Sequence, residues 1–491
     1  MASLSKSRFQ LGLQCEKLLW LKCNRPELAD PVTEVQQHVF DTGTRVGELA
    51  RERFPGGVLI AEDHTQSARA LETTTRLMAD DPPRVLFEAA FVHAGVFVRP
   101  DVLVRVGDAW ELVEVKSGTR VKPENITDVA VQMWVLEGAG LRVRRAHLMH
   151  LDNTYVYQGG GYDLRRLFAI EEVTSDARAW LPAFPELVAH MLETIDGPEP
   201  VRRIGKHCEK PYACAFFGHC HASLPERPIT ALPRVSDELI AALLDAGITS
   251  IGDIPPFFPG LTAAQRAVCE TVRRGTPRFA PGLQSAFARL RHPIHFLDFE
   301  TMMPALPLYP GTRPFQQVPF QWSDHVLAAD GALTHLEFLA QPGPDPRPKF
   351  VQTMLEALGE EGSVVAYHAS FEDSRLRELA DALPGHADAL ARVRARLFDL
   401  EKPVRDFVQH PELLGRSSIK VVLPALVGTL SYDDLGIHEG GTASLRYLQC
   451  ARGDVSAKVR DAIMADLRAY CATDTLAMVE LHRVLQGEEA A

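Results

Sequence analysis

The chain has 491 residues, too many for one ordinary core, so its length predicts two or three domains. A composition of 46% hydrophobic and 24% charged residues is typical of a globular protein, and no run approaches the roughly 18 uninterrupted apolar residues of a membrane helix. The net charge of −12 argues against a protein that coats nucleic acid, but it does not exclude a nuclease, because carboxylate metal sites add negative charge locally.

The sequence shows no signal peptide, and it contains segments typical of domain boundaries. The opening residues, MASLSKSRFQLGLQCEKLLWLK, lack the apolar region of a signal peptide, so we expect a cytoplasmic protein whose eight cysteines stay reduced. Proline- and glycine-rich segments interrupt the later chain. They predict three parts: residues 1–222, a small helical connector at 223–289, and residues 290–491.

The first part begins with helical patterns that continue to Arg53. Strand-like runs follow at 85–106 and 110–118, then a helix at 125–140 and a strand at 145–151. An antiparallel hairpin, a further strand, a helix and another strand predict an α/β or α+β domain.

Charged side chains at one end of this sheet predict a metal site. Glu114 and Lys116 lie two apart on a strand and face the same way, and Asp101 ends a strand about one hairpin earlier. The carboxylates can bind a divalent cation, and the lysine can position or deprotonate a water aimed at phosphorus. Glu88, on another strand, is placed to complete the cluster. The alternative is an exposed strand face whose charges merely pair.

This pattern resembles the PD-(D/E)XK nucleases of the RecB type, over about residues 8–222. The resemblance implies a restriction-endonuclease-like domain, metal binding by Asp101 and Glu114, and a catalytic role for Lys116. It also places the helical glutamine of the family at Gln132.

Two positions depart from the family pattern. Leu136 stands where the family has a tyrosine four residues after the glutamine. Asp128 lies one helical turn before Gln132. The early helix GTRVGELARERF offers Glu48 but no metal-binding histidine. We therefore predict Glu88 as the remaining metal ligand.

Three cysteines fall within thirteen residues: Cys208, Cys214 and Cys220. Thiolates this close repel one another, so a shared metal ion or cluster is the natural explanation. Cys15 and Cys23 are the two candidates for a fourth ligand. The alternatives are a zinc site that includes His207 or His219, and buried free thiols.

One N-terminal cysteine followed by a C-terminal trio resembles the iron–sulfur nucleases of the RecB type, including the CRISPR-associated adaptation nuclease. The segment LGLQCEKLLWLK resembles the N-terminal cysteine context of that family. The resemblance implies a structural 4Fe–4S cluster, with zinc as the alternative cofactor. Its implied ligands are Cys15, Cys208, Cys214 and Cys220.

The rest of the chain predicts a helical connector and a second mixed domain. Residues 237–257 and 261–275 carry helical patterns around a glycine-containing turn, typical of a helix-hairpin-like bundle. The last part predicts strands followed by helices that end near Gln486. The predicted strands are 294–301, 320–327, 334–340 and 363–369.

A second set of oxygen-bearing side chains lies in this last part: Asp298, Glu300, Glu372 or Asp373, Tyr470 and Asp474. Asp298 and Glu300 share one face of a strand, and Tyr470 and Asp474 share one face of a helix. Such a set suits two cations about 4 Å apart that stabilise the attacking and leaving oxygens, while the tyrosine orients water.

This set resembles the DnaQ-like exonucleases of the DEDDy kind, on an RNase H-like fold, across about residues 290–487. The resemblance implies metal binding by Asp298, Glu300 and Asp474, with Tyr470 positioning water. Its second motif has Asp after Asn-x-x-Phe.

This chain instead reads His-Ala-Ser-Phe-Glu there, so Glu372 is assigned and Asp373 is the alternative. The segment SSIKVVLPALVG resembles the stretch before the last motif. Lys420 within it either contacts a phosphate or is an ordinary surface lysine.

Together the resemblances imply an α/β protein with a PD-(D/E)XK domain, a helical connector and an RNase H-like domain. We expect a metal-dependent nuclease using Mg²⁺ or Mn²⁺ that trims 3′ ends at its C-terminal site and cleaves strands at its N-terminal site. DNA is the preferred substrate, in repair, recombination or defence. The alternatives are a nucleic-acid-binding protein with one degenerate half and an RNA-directed exonuclease. The sequence leaves open whether the protein has protein partners.

Overall fold

A computed structural model describes residues 4–63, 65–79, 81–428, 430 and 435–487. The chain divides into two compact units: Met1–Ser223 with Ala305–Gln316, and Leu224–Pro304 with Gln317–Ala491. All but the first residue of the predicted connector, 223–289, therefore belongs to the second unit. No helix within the described ranges is both long enough and apolar enough to cross a membrane.

The first unit is a mixed α/β structure. Its strands and helices are, in chain order, β1 (Leu4–Ser5), α1 (Lys6–Gln14), α2 (Glu16–Asn24), α3 (Glu34–Arg51), β2 (Val58–Leu59), α4 (Ser67–Met78), β3 (Val85–Phe87), β4 (Phe91–His93), β5 (Val96–Val98), β6 (Val102–Val106), β7 (Ala109–Lys116), α5 (Pro123–Gly138), β8 (Val143–Leu151), α6 (Leu164–Leu167), β9 (Phe168–Glu172), α7 (Thr174–Trp180), α8 (Phe184–Asp196) and α9 (Phe217–His221).

A six-stranded sheet of order β2-β3-β6-β7-β8-β9 forms the centre of this unit. β6 and β7 form an antiparallel hairpin, and β8 lies parallel to β7 after the crossover through α5. Leu112 of β7 packs in one core with Val129 of α5, and its neighbour Val113 packs in another with Val46 of α3. Both faces of β7 are thus covered, which explains why apolar side chains lie on both of them.

The run predicted at 85–106 is interrupted in the structure. β4 and β5 leave the main sheet and form a separate three-stranded sheet of order β1-β5-β4. β1 pairs with β5 in parallel, Leu4 opposite Val96, and both side chains are fully buried. The periodic pattern predicted strands here, but it did not predict that the N-terminus would pair with one of them.

The second unit is also mixed α/β. Its elements are α10 (Asp237–Asp245), α11 (Ala263–Arg274), β10 (Arg278–Phe279), α12 (Leu283–Phe287), β11 (Ile294–Met302), β12 (Val318–Leu327), β13 (Leu333–Leu339), α13 (Arg347–Leu358), β14 (Ser363–Ala366), α14 (Ser370–Ala382), α15 (Ala387–Ala395), β15 (Leu397–Asp399), α16 (Glu401–Phe407), β16 (Val408–Gln409), α17 (Ile419–Leu426), α18 (Gly440–Arg452) and α19 (Ala457–Gln486).

A five-stranded sheet of order β13-β12-β11-β14-β15 forms its centre. β11, β12 and β13 are antiparallel, whereas β14 and β15 continue the sheet in parallel with β11. Phe296 of β11 packs with Met478 of α19, and Leu297, on the opposite face, packs with Phe350 of α13. β11 is therefore a central strand covered on both faces, and any polar side chain on it needs a local reason.

The strand predicted at 363–369 ends early, at Ala366. His368 has a positive φ of 64°, a conformation uncommon for residues other than glycine, and its N–H donates to Asp399 at 3.1 Å. The chain turns there and starts α14 at Ser370. This turn places Glu372 in the first helical turn beside the carboxyl end of the sheet.

Candidate metal centre and active sites

Three carboxylates converge in the second unit. Asp298 and Glu300 extend from one face of β11 and Asp474 extends from α19, and one oxygen of each lies within 4.8 Å of the others. Throughout the described ranges, this is the only group of three or more His, Cys, Asp or Glu ligand atoms that close. Glu300 and Asp474 are buried and Asp298 is half-buried.

Burial and mutual repulsion both oppose ionisation of this cluster. Burial, and then the charge of Asp474, raise the pKa of Asp298 to about 7. Burial and the same two aspartates raise the pKa of Glu300 well above its ordinary value. The Cys471 thiol donates to Asp298 at 3.6 Å, and burial also raises the pKa of Cys471. A bound cation would allow the three carboxylates to ionise together.

Glu372 faces this cluster and Asp373 does not. Glu372 is only 2% exposed, and its Oε2 has no hydrogen-bond partner among the described residues. Burial and the charge of Asp298 raise the pKa of Glu372 well above its ordinary value. Asp373 instead pairs with Arg377 and, at 2.7 Å, with Arg394. Of the two acids left open by the sequence, Glu372 is the one beside the carboxylates.

Tyr470 and Lys420 border the same cluster. Tyr470 is buried one helical turn before Asp474, and the Lys420 ammonium lies 5.4 Å from the centroid of its ring. Lys420 is exposed and donates to the His438 carbonyl at 2.6 Å. Its charge reaches Glu300, whose pKa it lowers against the larger effect of burial. Lys420 therefore lies where a phosphate at the carboxylates would come within its reach.

The predicted carboxylate and lysine of β7 form the centre of a second cluster, in the first unit. Glu114 is 1% exposed, and its Oε1 accepts hydrogen bonds from Lys116 at 2.8 Å and from Lys6 at 2.6 Å. Its Oε2 accepts one from Gln132 at 2.7 Å. Burial opposes ionisation, but Lys116 and Lys6 outweigh it and lower the pKa of Glu114. The structure brings the predicted Gln132 to this carboxylate.

Two aspartates complete this cluster. Asp101 Oδ2 accepts a hydrogen bond from the Val115 N–H at 2.6 Å, and burial followed by the charge of Glu114 raises its pKa to about 8. Asp128 of α5 pairs with Lys116 and, at 3.6 Å, with Lys6. Asp101, Glu114 and Asp128 thus surround two ammonium groups.

Glu88 sits at the edge of this cluster with a positive φ of 56°. Its carboxylate lies 3.6 Å from Arg51 and 3.6 Å from Arg99, and its side chain is 27% exposed. Burial raises the pKa of Glu88, and the charges of Lys6 and Glu114 reach it. Two guanidinium groups already neutralise it, so its role as a metal ligand stays a prediction. Glu48 is exposed on α3.

Sequence reasoning missed Lys6 and Tyr212 at this cluster. Lys6 is 108 residues from Glu114, and no local pattern connects them. Tyr212 lies between Cys208 and Cys214; burial, then Glu124, raise the pKa of its hydroxyl, and the charges of Lys116 and Asp128 also reach it. Both come from segments that only the tertiary fold brings to β7.

The four predicted cysteine ligands line one pocket of the first unit: Cys15, Cys208, Cys214 and Cys220. Leu18, Leu21 and Ile204 form apolar walls, and Lys17 and Arg202 add positive charge. The space inside the pocket that a water molecule can occupy is about 20 Å³. The alternative ligand Cys23 packs instead against the main core of the unit.

Burial disfavours the ionised thiolate at Cys208, Cys214 and Cys220. Burial raises the pKa of Cys214 to about 11, and it also raises the pKa values of Cys208 and Cys220. Within the described part of the chain, no three of the four sulfurs all lie within 4.8 Å of one another. His207, the alternative ligand, has its Nε2 3.8 Å from the Cys208 sulfur and also lines the pocket, whereas His219 does not line it.

α1 connects this pocket to the Glu114 cluster. The helix begins at Lys6, and near its middle Gln10 accepts a hydrogen bond from Thr127 of α5 at 3.1 Å. At its end the Gln14 amide donates to the carbonyls of His207 and Tyr212, both at 2.8 Å. Cys15 follows directly. The cysteine loop is therefore attached to the same helix that delivers Lys6.

Comparison with known proteins gives a partial match to one family. Residues 295–418 match the family model described as "Domain of unknown function (DUF2779)". This range contains Asp298, Glu300 and Glu372 and ends before Tyr470 and Asp474. The family description states no activity.

Two curated relatives are similar over less than half of the chain. "Uncharacterized protein MG366 homolog" of Mycoplasma pneumoniae is 28% identical over 222 residues, 40% of this chain and 33% of the relative. "Uncharacterized protein UU173" of Ureaplasma parvum is 25% identical over 217 residues, 39% of this chain and 31% of the relative. The matched part of this chain thus spans about a third of the length of these relatives.

Proposed function

We propose that the chain is a metal-dependent nuclease with two carboxylate active sites, a 3′–5′ exonuclease site in the second unit and a DNA-cleaving site in the first. One observation carries the proposal: the carboxylates of Asp298, Glu300 and Asp474 lie within 4.8 Å of one another, with Tyr470 one helical turn from Asp474. Carboxylates held this closely suit divalent cations used in phosphodiester hydrolysis.

The donor set of the second unit fits Mg²⁺ or Mn²⁺. All its candidate ligands are hard carboxylate oxygens, and the buried, unpartnered Oε2 of Glu372 is a further one. Asp298, Glu300, Glu372 and Asp474 would hold the metal, which supplies stabilisation of the negative charge that develops on the phosphate. Tyr470 would orient the attacking water by its hydroxyl, and Lys420 would neutralise a phosphate oxygen.

The first unit offers a smaller oxygen set. Asp101 and Glu114 would hold a cation, and the buried Oε1 of Gln132 has no hydrogen-bond partner among the described residues. Lys116 would position the water, while the amide of Gln132 holds Glu114 in place at 2.7 Å. Glu88 stays a predicted further ligand. The carboxylates and the lysine are the groups such a reaction requires.

The finer fold assignments are part of this proposal. The sheet order β13-β12-β11-β14-β15, with the carboxylates on its central strand, supports an RNase H-like domain of the DnaQ kind. The β6–β7 hairpin followed by α5 and the parallel strand β8 supports a PD-(D/E)XK domain of the RecB type.

We further propose that the cysteine pocket holds a structural 4Fe–4S cluster. Thiolates are the ligands that iron–sulfur clusters require. Four cysteines line the pocket, which is the number of thiolate ligands that such a cluster takes. Zinc is the alternative.

The decisive assay compares wild type with Asp298→Asn and with Lys116→Met on end-labelled single- and double-stranded DNA and matched RNA, with Mg²⁺ or Mn²⁺. We expect Asp298→Asn to abolish 3′ trimming and to keep internal cleavage, and Lys116→Met to do the reverse. DNA should be digested in preference to RNA. The proposed place of action is the cytoplasm. Equal digestion by wild type and by a variant that carries both Asp298→Asn and Lys116→Met would refute the nuclease proposal. Faster loss of RNA would favour the RNA-directed alternative.

A second candidate function for the first unit is nucleic-acid binding without cleavage. It is favoured by Glu114, whose two oxygens already accept three hydrogen bonds from Lys6, Lys116 and Gln132. In that case Asp298→Asn would digest nothing yet would bind single-stranded DNA as tightly as wild type does. Filter binding alongside the digestion assay separates the two candidates.

A further inference from the structure

We propose that Lys6 is a second lysine of the first-unit site, one that holds Glu114 until a divalent cation takes this carboxylate and then binds a phosphate of the substrate. The phosphate contact rests on the proposed nuclease function. The exchange between Lys6 and the cation at Glu114 does not.

Lys6 is held in place although it lies near the start of the chain. β1, immediately before it, pairs with β5, and the Leu4 side chain is fully buried. The Ser5 side chain caps α1 by accepting a hydrogen bond from the Arg8 N–H at 3.2 Å. The backbone on both sides of Lys6 is therefore fixed, and its side chain is only 22% exposed.

The contacts at Glu114 identify which group leaves when a cation binds. Lys6 and Lys116 donate to the same Oε1, so a cation that binds this oxygen must displace one of them. Lys116 keeps a short ion pair with Asp128, whereas the Lys6 ammonium is 3.6 Å from that carboxylate. Lys6 has the weaker second partner, so it is the group that exchanges.

The charge count indicates what Lys6 does next. Three carboxylates, Asp101, Glu114 and Asp128, face two ammonium groups, those of Lys6 and Lys116. When all three acids are ionised around a bound divalent cation, the set carries one positive charge in excess. A phosphodiester carries one negative charge. The released ammonium of Lys6 therefore has a partner of opposite charge in the phosphates of a nucleic acid backbone.

The test uses Lys6→Met in a chain that also carries Asp298→Asn and Asp474→Asn, which leaves the first-unit site to report metal binding. Calorimetric titration with Mn²⁺ should give affinity roughly tenfold tighter than in the parent, because a charged competitor within ion-pair distance of Glu114 is gone. Binding to single-stranded DNA in Mn²⁺ should weaken, with the slope of log Kd against log salt reduced by about 0.7.

The matched control is Lys22→Met, which removes an exposed lysine from α2 and should change neither quantity. Thermal unfolding identifies variants that fold. A folded Lys6→Met protein with unchanged or weaker Mn²⁺ affinity would overturn the exchange and leave Lys6 a structural ion pair. Tighter Mn²⁺ with an unchanged salt slope would overturn the phosphate contact. If wild type digests no substrate, the nuclease proposal fails while the Mn²⁺ comparison still decides the exchange.

Discussion

At the scale of single residues, Glu372 is almost completely buried, and its Oε2 has no hydrogen-bond partner among the residues that the structure describes. A buried carboxyl without a partner is costly when charged, so it is kept neutral or is matched by a cation. In the resemblance to the DnaQ-like exonucleases, Glu372 stands at the position where that family has an aspartate. Its isolation inside the second unit therefore favours a role in binding a cation over a role in stabilising the fold.

We predict that Glu372→Gln lowers 3′ trimming by about a hundredfold or more, because the amide keeps the shape but loses the charge that a cation needs. The melting temperature without metal should change little, since the amide keeps the size and shape of the buried acid and burial, which raises the pKa of Glu372, favours an uncharged group there. Trimming rates and unfolding curves measure the two effects. Asp373→Asn is the control; if it loses as much activity, the assignment is reversed.

The pKa of Asp298, about 7 in the folded chain, predicts how stability depends on pH. Between its ordinary pKa, near 4, and about 7, the folded state binds more protons than the unfolded state does. The contribution of Asp298 to the stability of the metal-free second unit should therefore fall as pH rises through this window and level off above it.

Stabilisation by Mn²⁺ should have the opposite trend and grow from pH 5 to pH 8, because the ligands must lose protons to bind the ion. Melting temperatures with and without Mn²⁺ across this range measure both trends. Asp298→Asn should flatten them, and an Asp298→Asn protein with an unchanged pH profile would contradict the assignment of the shift to this residue.

At the scale of secondary-structure elements, α1 joins two sites that are far apart in sequence. Lys6 at its first residue reaches Glu114, and Gln14 at its last residue holds the cysteine loop. The eight residue steps between them span about 12 Å along a helix. The position of Lys6 thus depends on how the other end of α1 is anchored. Cys15, a predicted cluster ligand, directly follows that end.

We predict that Cys208→Ser removes the metal centre, lowers the melting temperature of the first unit and slows cleavage at the Glu114 site, while 3′ trimming continues. Cys23→Ser, outside the pocket, is the matched control. Purified under anaerobic conditions, the wild-type protein should absorb near about 400 nm, as thiolate-bound iron does. A colourless protein with one zinc per chain would contradict the cluster assignment. Equal cleavage by the two variants would argue against coupling through α1.

At the scale of the whole molecule, the two units are not continuous in sequence. Residues 305–316 follow β11 of the second unit, yet they belong to the first. There Gly311 and Thr312 hydrogen-bond to the backbone of Tyr157 at 2.8 and 2.9 Å, and Leu306 is buried in the core that contains Val113. The integrity of the first core therefore depends on a segment that lies beyond position 300.

We predict two thermal transitions in calorimetry, one for each unit with its own core. Leu306→Ala should lower the transition that Cys208→Ser also lowers, by roughly 2–5 kcal/mol of unfolding free energy, as for other buried leucines. Met303→Ala, at an exposed position, should leave both transitions in place. A Leu306→Ala protein that changes only the other transition would show that the segment stabilises the second unit instead.

Several features of the sites were predictable from the sequence, because they depend on local periodicity. Residues two apart on a strand face the same way, so the strand pattern alone pairs Asp298 with Glu300, and Glu114 with Lys116. The helical elements around Gln132 and Asp474 were predictable in the same way. The mixed α/β class was predictable as well, since strand and helix patterns alternate along both parts of the chain.

Other features were decided only by the tertiary structure, because they join segments that no local pattern connects. Lys6 reaches Glu114 because β1 pairs with β5 and fixes the start of α1. The resemblances had already implied Cys15 over Cys23 and Glu372 over Asp373, but only the fold brings Cys15, directly after α1, into one pocket with Cys208, Cys214 and Cys220. The sequence by itself determined which side chains share an element. The packing of distant elements decided which of those side chains meet.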